Sequence, residues 1–305
     1  MFMSGGSRGI GLAIALRAAR DGAKVALMAK TAEPHPKLSG TVFTAAEEIE
    51  AAGGEALPIV GDIRDAEAVE AAAAQTAKRF GGIDLVVNNA SAINLAPMRD
   101  LEVKRFDLMQ QINARGTFVV TRACLPHLRE SDHAHVLTLS PPLSADERWL
   151  RGHSAYTLSK MGMTMITLGV AADEAEAGIG ANCLWPRTII ATAAVQNLLG
   201  GDEAMARART PDIYADAAYQ VLIRDPRTCN GNTFIDDEVL AEAGITDLSG
   251  YSAAEGDLVL DIFVDGWPEG VPAYGSRSTT PASASTSSSM NALPVQERGS
   301  RPRIS

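Results

Sequence analysis

Short apolar runs of strand length alternate along this chain with longer stretches of helical period, and that alternation restricts the fold more than any other feature. The runs are "GAKVALMAK", ending near Lys30, "GGEALPIVGD" (53–62), "GGIDLVVNNA" (81–90), "HVLTLS" (135–140), "GANCLWP" (180–186) and "GNTFIDD" (231–237). Helices are expected between them, over residues 12–21, 44–52, 65–80, 103–128 and 153–177, with a proline-interrupted loop at 31–40. Strands that alternate with helices in this way build βαβ units. The expected fold is therefore α/β, a doubly wound parallel sheet of Rossmann type with about seven strands and helices on both faces.

Residues 1–270 read as a single domain. From residue 271 to 305 the sequence is Ser, Thr, Pro and Ala with almost no large apolar side chain, so it is expected to be a disordered tail. The longest apolar stretch, 161–172, is too short to span a bilayer and reads as a buried helix. A net charge of −10 with no basic stripe argues against a nucleic-acid partner. Cys124, Cys183 and Cys229 are scattered without metal or redox spacing, which predicts free thiols in a reducing, cytoplasmic setting. His127, His133 and His135 cluster, but they read as part of a surface turn and no carboxylate or thiol completes a site, so no metal is expected.

The stretch "SGGSRGIG" (4–11) admits three readings: a phosphate-binding turn, a secretion signal or a flexible end. A signal is disfavoured, because the glycines precede the short apolar run, Arg8 is the only early cation and no cleavage pattern follows. As a turn, Gly5, Gly9 and Gly11 let backbone approach a pyrophosphate while the following helix offers free N–H groups, with Ser7, Arg8 and Ile10 around it. The alternative is a tight strand–helix turn without ligand. Lys30 stands at the end of the second strand, where NAD-binding versions of this fold place an acid, and with Arg8 it suits a 2′-phosphate, favouring NADP(H) over NAD. A solvated strand-end lysine is the plainer account of Lys30. Asp62 with Ile63, and Asn89 with Ala90, end the next two strands, where open α/β sheets bind ligands. Tyr156 and Lys160 lie at i and i+4, on one helix face. A phenol titrates near 10, so an ammonium one turn away would bring it toward the range of a general acid or base.

In order and spacing, Ser4 to Gly11, Asp62, Asn88-Asn89-Ala90-Ser91, Asn113 and Tyr156-x-x-x-Lys160 resemble the classical short-chain dehydrogenase/reductase family over roughly residues 1–240. More narrowly, "NARGTF", "LSPPL" and "FIDDEVL" resemble a hydroxysteroid dehydrogenase-like group, whose longer members append a sterol-carrier domain that has no counterpart in this sequence. The resemblance implies hydride transfer between NADP(H) and a carbonyl/alcohol substrate, apolar or lipid-like. It implies Tyr156 as general acid/base, Lys160 on the nicotinamide ribose and Asn113 behind Lys160 in a proton relay. Pro186 and the Ile189 backbone would border the nicotinamide, and the family's helices at Asn113 and Tyr156 pack against partner copies, implying a homodimer or homotetramer.

Three features depart from the family pattern. Pro141 stands where the substrate-orienting serine is usual, leaving Ser140 or Ser144 as substitutes. Arg187 follows Pro186 in place of glycine; facing the active site, it would suit an acidic or CoA-linked substrate, and otherwise it points to solvent. The first strand has only three residues, which suggests a start further upstream or a fold that tolerates a weak central strand. Two other functions remain open: a catalytically weak NADP-binding scaffold or sensor, and an enoyl or acyl-chain reductase.

Overall fold

A strand of only three residues occupies the middle of the sheet. The computed structural model describes residues 1–34, 39–198, 200–267 and 274–275. Its first half runs β1 (Phe2–Ser4), α1 (Gly9–Ala19), β2 (Lys24–Ala29), α2 (Val42–Ala51), β3 (Glu55–Val60), α3 (Ala66–Phe80), β4 (Leu85–Asn88), α4 (Val103–Ile112) and α5 (Ala114–Leu128). The second half runs β5 (His135–Leu139), α6 (Glu147–Leu150), α7 (Ser154–Asp173), β6 (Gly180–Trp185), α8 (Ala193–Leu198), α9 (Gly201–Ala206), α10 (Pro211–Leu222), β7 (Thr233–Ile235) and α11 (Asp236–Glu242). A two-stranded antiparallel ribbon, β8 (Gly256–Asp257) with β9 (Tyr274–Gly275), follows. The rest of the expected tail lies outside the described residues, as does the centre of the 31–40 loop.

The seven parallel strands lie in the order β3-β2-β1-β4-β5-β6-β7, as expected for a doubly wound sheet. Short as it is, β1 pairs on both sides: Phe2 stands opposite Ala26 and Val86, and Ser4 opposite Met28 and Asn88. The two-residue period of a strand then sorts its side chains between two cores. Met3, Leu27, Val87 and Leu137 face α1, α2 and α10, packing on Ile14, Ile49 and Val221. Phe2, Ala26, Val86 and Val136 face α3 and α5, packing on Val69 and Val120.

Local chemistry sets the helix ends. Thr41 and Thr44 form a reciprocal capping box at α2, and the Asp65 carboxylate caps α3 by accepting from the Ala68 N–H. Gly81 ends α3 in the left-handed region, at φ 91°. Pro58 interrupts β3 without penalty because β3 is an edge, bonded only to β2.

Three expectations change. The helix expected over 103–128 is divided at Asn113, whose ψ of −78° bends the chain although its N–H still reaches the Met109 carbonyl. The last strand contracts to Thr233–Ile235 because Asp236 and Asp237 begin α11, where carboxylates suit the positive end of a helix. His135 lies in β5, fully buried rather than in a surface turn, and its Nε2 meets the Arg224 carbonyl as His133 Nε2 meets that of Leu222.

Phe2→Ala removes a fully buried ring from the sheet centre and should cost about 3–5 kcal/mol of unfolding free energy in urea titration. Phe43→Ala, at an exposed site on α2, should stay within about 0.5 kcal/mol.

Candidate active site

The carboxyl ends of β4, β5 and β6, with the start of α1, open into a cavity of about 600 Å³, the position that topology assigns to ligands in open α/β sheets. Of the residues singled out in the sequence, Ile10, Asn89, Tyr156, Lys160, Pro186 and Ile189 line it. α8 and α9 form one wall through Val195 and Ala204.

The glycine turn closes on Asn89. A Cβ at Gly5 or at Gly11 would come within 2.5 Å of Asn89 Nδ2, so these glycines admit the asparagine as well as leaving the turn open. Asn89 Nδ2 donates to the Ser4 carbonyl at 3.2 Å, and the Ala90 N–H donates to Ser4 Oγ at 3.3 Å. Asn88 ties β4 to its neighbours, donating to Thr121 and Thr138. Gly9, at φ 59°, starts α1, and neither Arg8 nor any first-turn carboxylate caps that helix. The first-turn N–H groups are thus left for a ligand of negative charge. Ser7, beside them, is buried.

The two cations expected at the 2′-phosphate are each engaged within the chain. Arg8 donates to the carbonyls of Ser39 and Gly40, at 2.8 and 2.6 Å. Lys30 pairs with Asp62 at 3.2 Å. Asp62 also accepts from Arg64, which holds its carboxyl well below the usual carboxylate range. Arg64 is a third cation at this end of the site, without a family motif to mark it. Ile63 is buried against Gly116, away from the cavity.

Tyr156 and Lys160 share one face of α7, 5% and 3% exposed. Lys160 Nζ donates to the Leu139 carbonyl at 2.6 Å and stands 5.0 Å over the Trp185 ring. Burial lowers its pKa to about 7, with the Asp261 charge opposing that shift. The Tyr156 phenol is raised by burial and then by Asp261. Asn113 is fully buried: its Oδ1 accepts from the Ala92 N–H, and its Nδ2 donates to the Ala92 carbonyl and to Ser159 Oγ. It fastens the loop after β4 to α7 one residue before Lys160.

Ser140 does not reach the cavity. Side chains alternate along β5, so with Leu139 lining the cavity Ser140 turns to the core, where its Oγ accepts from Thr164 at 2.9 Å. Ser144 is not a lining residue either; its Oγ accepts from the Asp146 N–H. Ser91, the last residue of the "NNAS" stretch, does line the cavity. Arg187 also differs from both expectations. It is buried, donating to Asp237 and Glu238 and, at 2.8 Å, to the Gly266 carbonyl, so it faces neither the cavity nor solvent.

Sequence reasoning missed the strap of residues 258–266, which carries no motif. Its Val259 carbonyl accepts from the Ile189 N–H at 3.0 Å, and its Asp261 N–H donates to the Arg187 carbonyl at 2.9 Å. Asp261 lines the cavity with its carboxyl pushed up to about 7 by burial. Val259, Leu260 and Ile262 complete that wall.

Residues 1–201 match the family model described as short chain dehydrogenase. The chain is 47% identical over 302 residues to hydroxysteroid dehydrogenase-like protein 2 of Xenopus tropicalis, covering 97% of this chain and 72% of that protein. It is 49% identical over 272 residues to the Homo sapiens protein of that name, covering 89% of this chain and 64% of the human one. A crystal structure of a short chain dehydrogenase from Mycobacterium thermoresistibile superposes with a TM-score of 0.84 at 59% identity, covering 89% of this chain and 97% of that one.

The charged cluster behind Pro186 carries a pH signature. Asp236 is fully buried, its Oδ1 accepting from the N–H groups of Arg187 and Asp237 while Oδ2 has no partner among the described residues. Burial, and then the Asp237 charge, raise its pKa to about 7. The protonated form therefore contributes stability that is full below the unfolded value near 4 and is lost as pH rises through 7. Asp236→Asn keeps the acceptor and removes the charge. It should raise Tm by a few degrees at pH 8 and leave it unchanged at pH 4, read by calorimetry.

Proposed function

We propose that this chain, which belongs to the short-chain dehydrogenase/reductase family, is an NADP(H)-dependent oxidoreductase acting on apolar or lipid-like carbonyl and alcohol substrates. The observation that carries the reading is Tyr156 and Lys160 together on the wall of an otherwise largely apolar cavity at the carboxyl ends of the strands. A bound nicotinamide dinucleotide supplies or accepts the hydride. The uncapped start of α1 and the glycine turn, Gly5 to Gly11, suit its diphosphate. Lys30 and Arg8 suit a 2′-phosphate, with Asp62 and the backbone of Ile63, whose side chain is turned to the core, beside the adenine and Asn89, Ala90, Pro186 and Ile189 along the remainder.

Tyr156 gives a proton to the substrate oxygen in reduction and takes it back in oxidation. Lys160 lowers the cost of the phenolate and is itself held by the Leu139 carbonyl. Asn113, locked to Ala92 and Ser159, keeps α7 in register with the loop after β4. Phe118 on α5 and Leu158 and Met165 on α7 are exposed apolar side chains, which supports a homodimer or homotetramer built on those helices. Three free, buried cysteines suit a cytoplasmic location. Among the described residues no helix is long and apolar enough to cross a membrane.

A second reading, a weakly catalytic NADP-binding scaffold, is favoured by one observation: neither Ser140 nor Ser144 lines the cavity. Turnover decides between the two. In an assay of NADPH consumption over a panel of ketones and aldehydes, Tyr156→Phe should lower kcat by about 100-fold or more while NADPH still raises Tm. Full turnover in that variant would refute the acid–base role, and binding without turnover by the unaltered chain on every substrate would favour the scaffold. Lys30→Glu should weaken NADPH by about tenfold or more and leave NADH little changed, because it replaces a cation just past the end of β2 with an anion. A larger thermal shift with NADH than with NADPH for the unaltered chain would reverse the cofactor assignment.

A further inference from the structure

Phe263 sits inside a cage of aromatic rings. Its ring centroid lies 5.9 Å from Trp149, 6.2 Å from His153, 6.2 Å from Tyr156 and 5.8 Å from Trp185. These four rings come from α6, the residue capping α7, α7 itself and the end of β6. They meet beside the cavity, where Tyr156 and Trp185 line the wall.

Phe263 is held there by force of connection. The strap is fastened just before it by Asp261 N–H on the Arg187 carbonyl and by Trp185 Nε1–H on the Ile262 carbonyl, at 2.8 Å, and just after it by Arg187 on the Gly266 carbonyl. Between these ties Phe263 adopts φ 70°, the only non-glycine residue with positive φ among the described residues. A side chain with a Cβ avoids that region, and such strain persists where the surroundings impose it, typically at ligand clamps and switch regions. Two cage rings also carry a buried nitrogen with no hydrogen-bond partner among the described residues, Trp149 Nε1 and His153 Nε2. Orphan polar atoms of this kind are costly and call for a partner.

We propose that the cage is a substrate subsite and that Phe263 is its resident stand-in, displaced when a flat apolar ring bearing an oxygen acceptor enters. The inference deepens the reading of Tyr156 as acid/base and rests on it. An aryl ketone, or the matching secondary alcohol, replaces the Phe263 ring face for face. Its oxygen supplies the acceptor that the orphan nitrogen of Trp149 lacks. A linear chain of the same carbon count has no face to present. The Val259 carbonyl, now on the Ile189 N–H, lies on the same strap, so displacing Phe263 also frees that backbone donor at the cavity wall.

The test uses the full chain and two ketones of equal carbon count, acetophenone and 2-octanone, without cofactor. Binding is followed by quenching of tryptophan fluorescence. Phe263→Ala should bind acetophenone about tenfold more tightly than the unaltered chain, equivalent to about 1.4 kcal/mol, with less than about a twofold change for 2-octanone. Adding Trp149→Phe should remove most of that gain. Phe263→Leu, which keeps the apolar filling and guards against a folding defect in the alanine variant, should fall between. In the unaltered chain, saturating acetophenone should speed hydrogen exchange at the Asp261 and Ile189 amides. If neither Phe263 variant binds acetophenone more tightly, or if those amides stay protected on binding, Phe263 is ordinary core and the proposal is overturned. The acid–base reading fails separately: Tyr156→Phe should bind acetophenone as before and lose turnover, and retained turnover would sink that reading while the cage stood on its binding data.

Discussion

A lysine ammonium kept out of water governs the open end of this sheet. Lys160 is 3% exposed, and a cation in that position needs compensation from its immediate surroundings. The Leu139 carbonyl accepts from it, the face of Trp185 lies beneath it and the Asp261 carboxyl faces the same cavity. Each of these comes from a different element. The strand end, the following strand and the strap must therefore all be in place before the cavity has its walls. The strap is in this sense part of the fold as well as of the site.

Much of this was legible in the residues because it rests on local periodicity and spacing. Strand and helix order, the glycine turn and the Tyr156/Lys160 face all follow from patterns a few residues long. What was not legible depends on distant partners. The kink at Asn113 comes with side-chain bonds to Ala92 and Ser159, far away in sequence. Ser140 turns inward because of strand parity at the exact end of β5, a matter of one residue. Asp236 and Asp237 read as strand until their helix is seen. The strap has no pattern at all, since its structure is dictated by the carbonyls and N–H groups of residues 187–189.

Arg187 illustrates the difference between residue type and residue role. An arginine after Pro186 suggests an anion site, yet its guanidinium is spent on Asp237, Glu238 and the Gly266 carbonyl. Buried ion pairs of this kind add little net stability against an apolar replacement. What they do contribute is direction: the planar fork fixes where Gly266 lies, and so limits the paths by which the strap can enter the Phe263 position.

Pro58 in β3 carries a consequence beyond its own strand. A sheet with free edges invites another chain to extend it, and short strands and prolines are among the devices that prevent this. One edge of this sheet carries Pro58, which has no N–H to offer a neighbour; the other, β7, is only three residues long. Strand addition is discouraged at both ends. An edge guarded in this way gives little purchase to the open-ended strand-upon-strand stacking from which fibres are built.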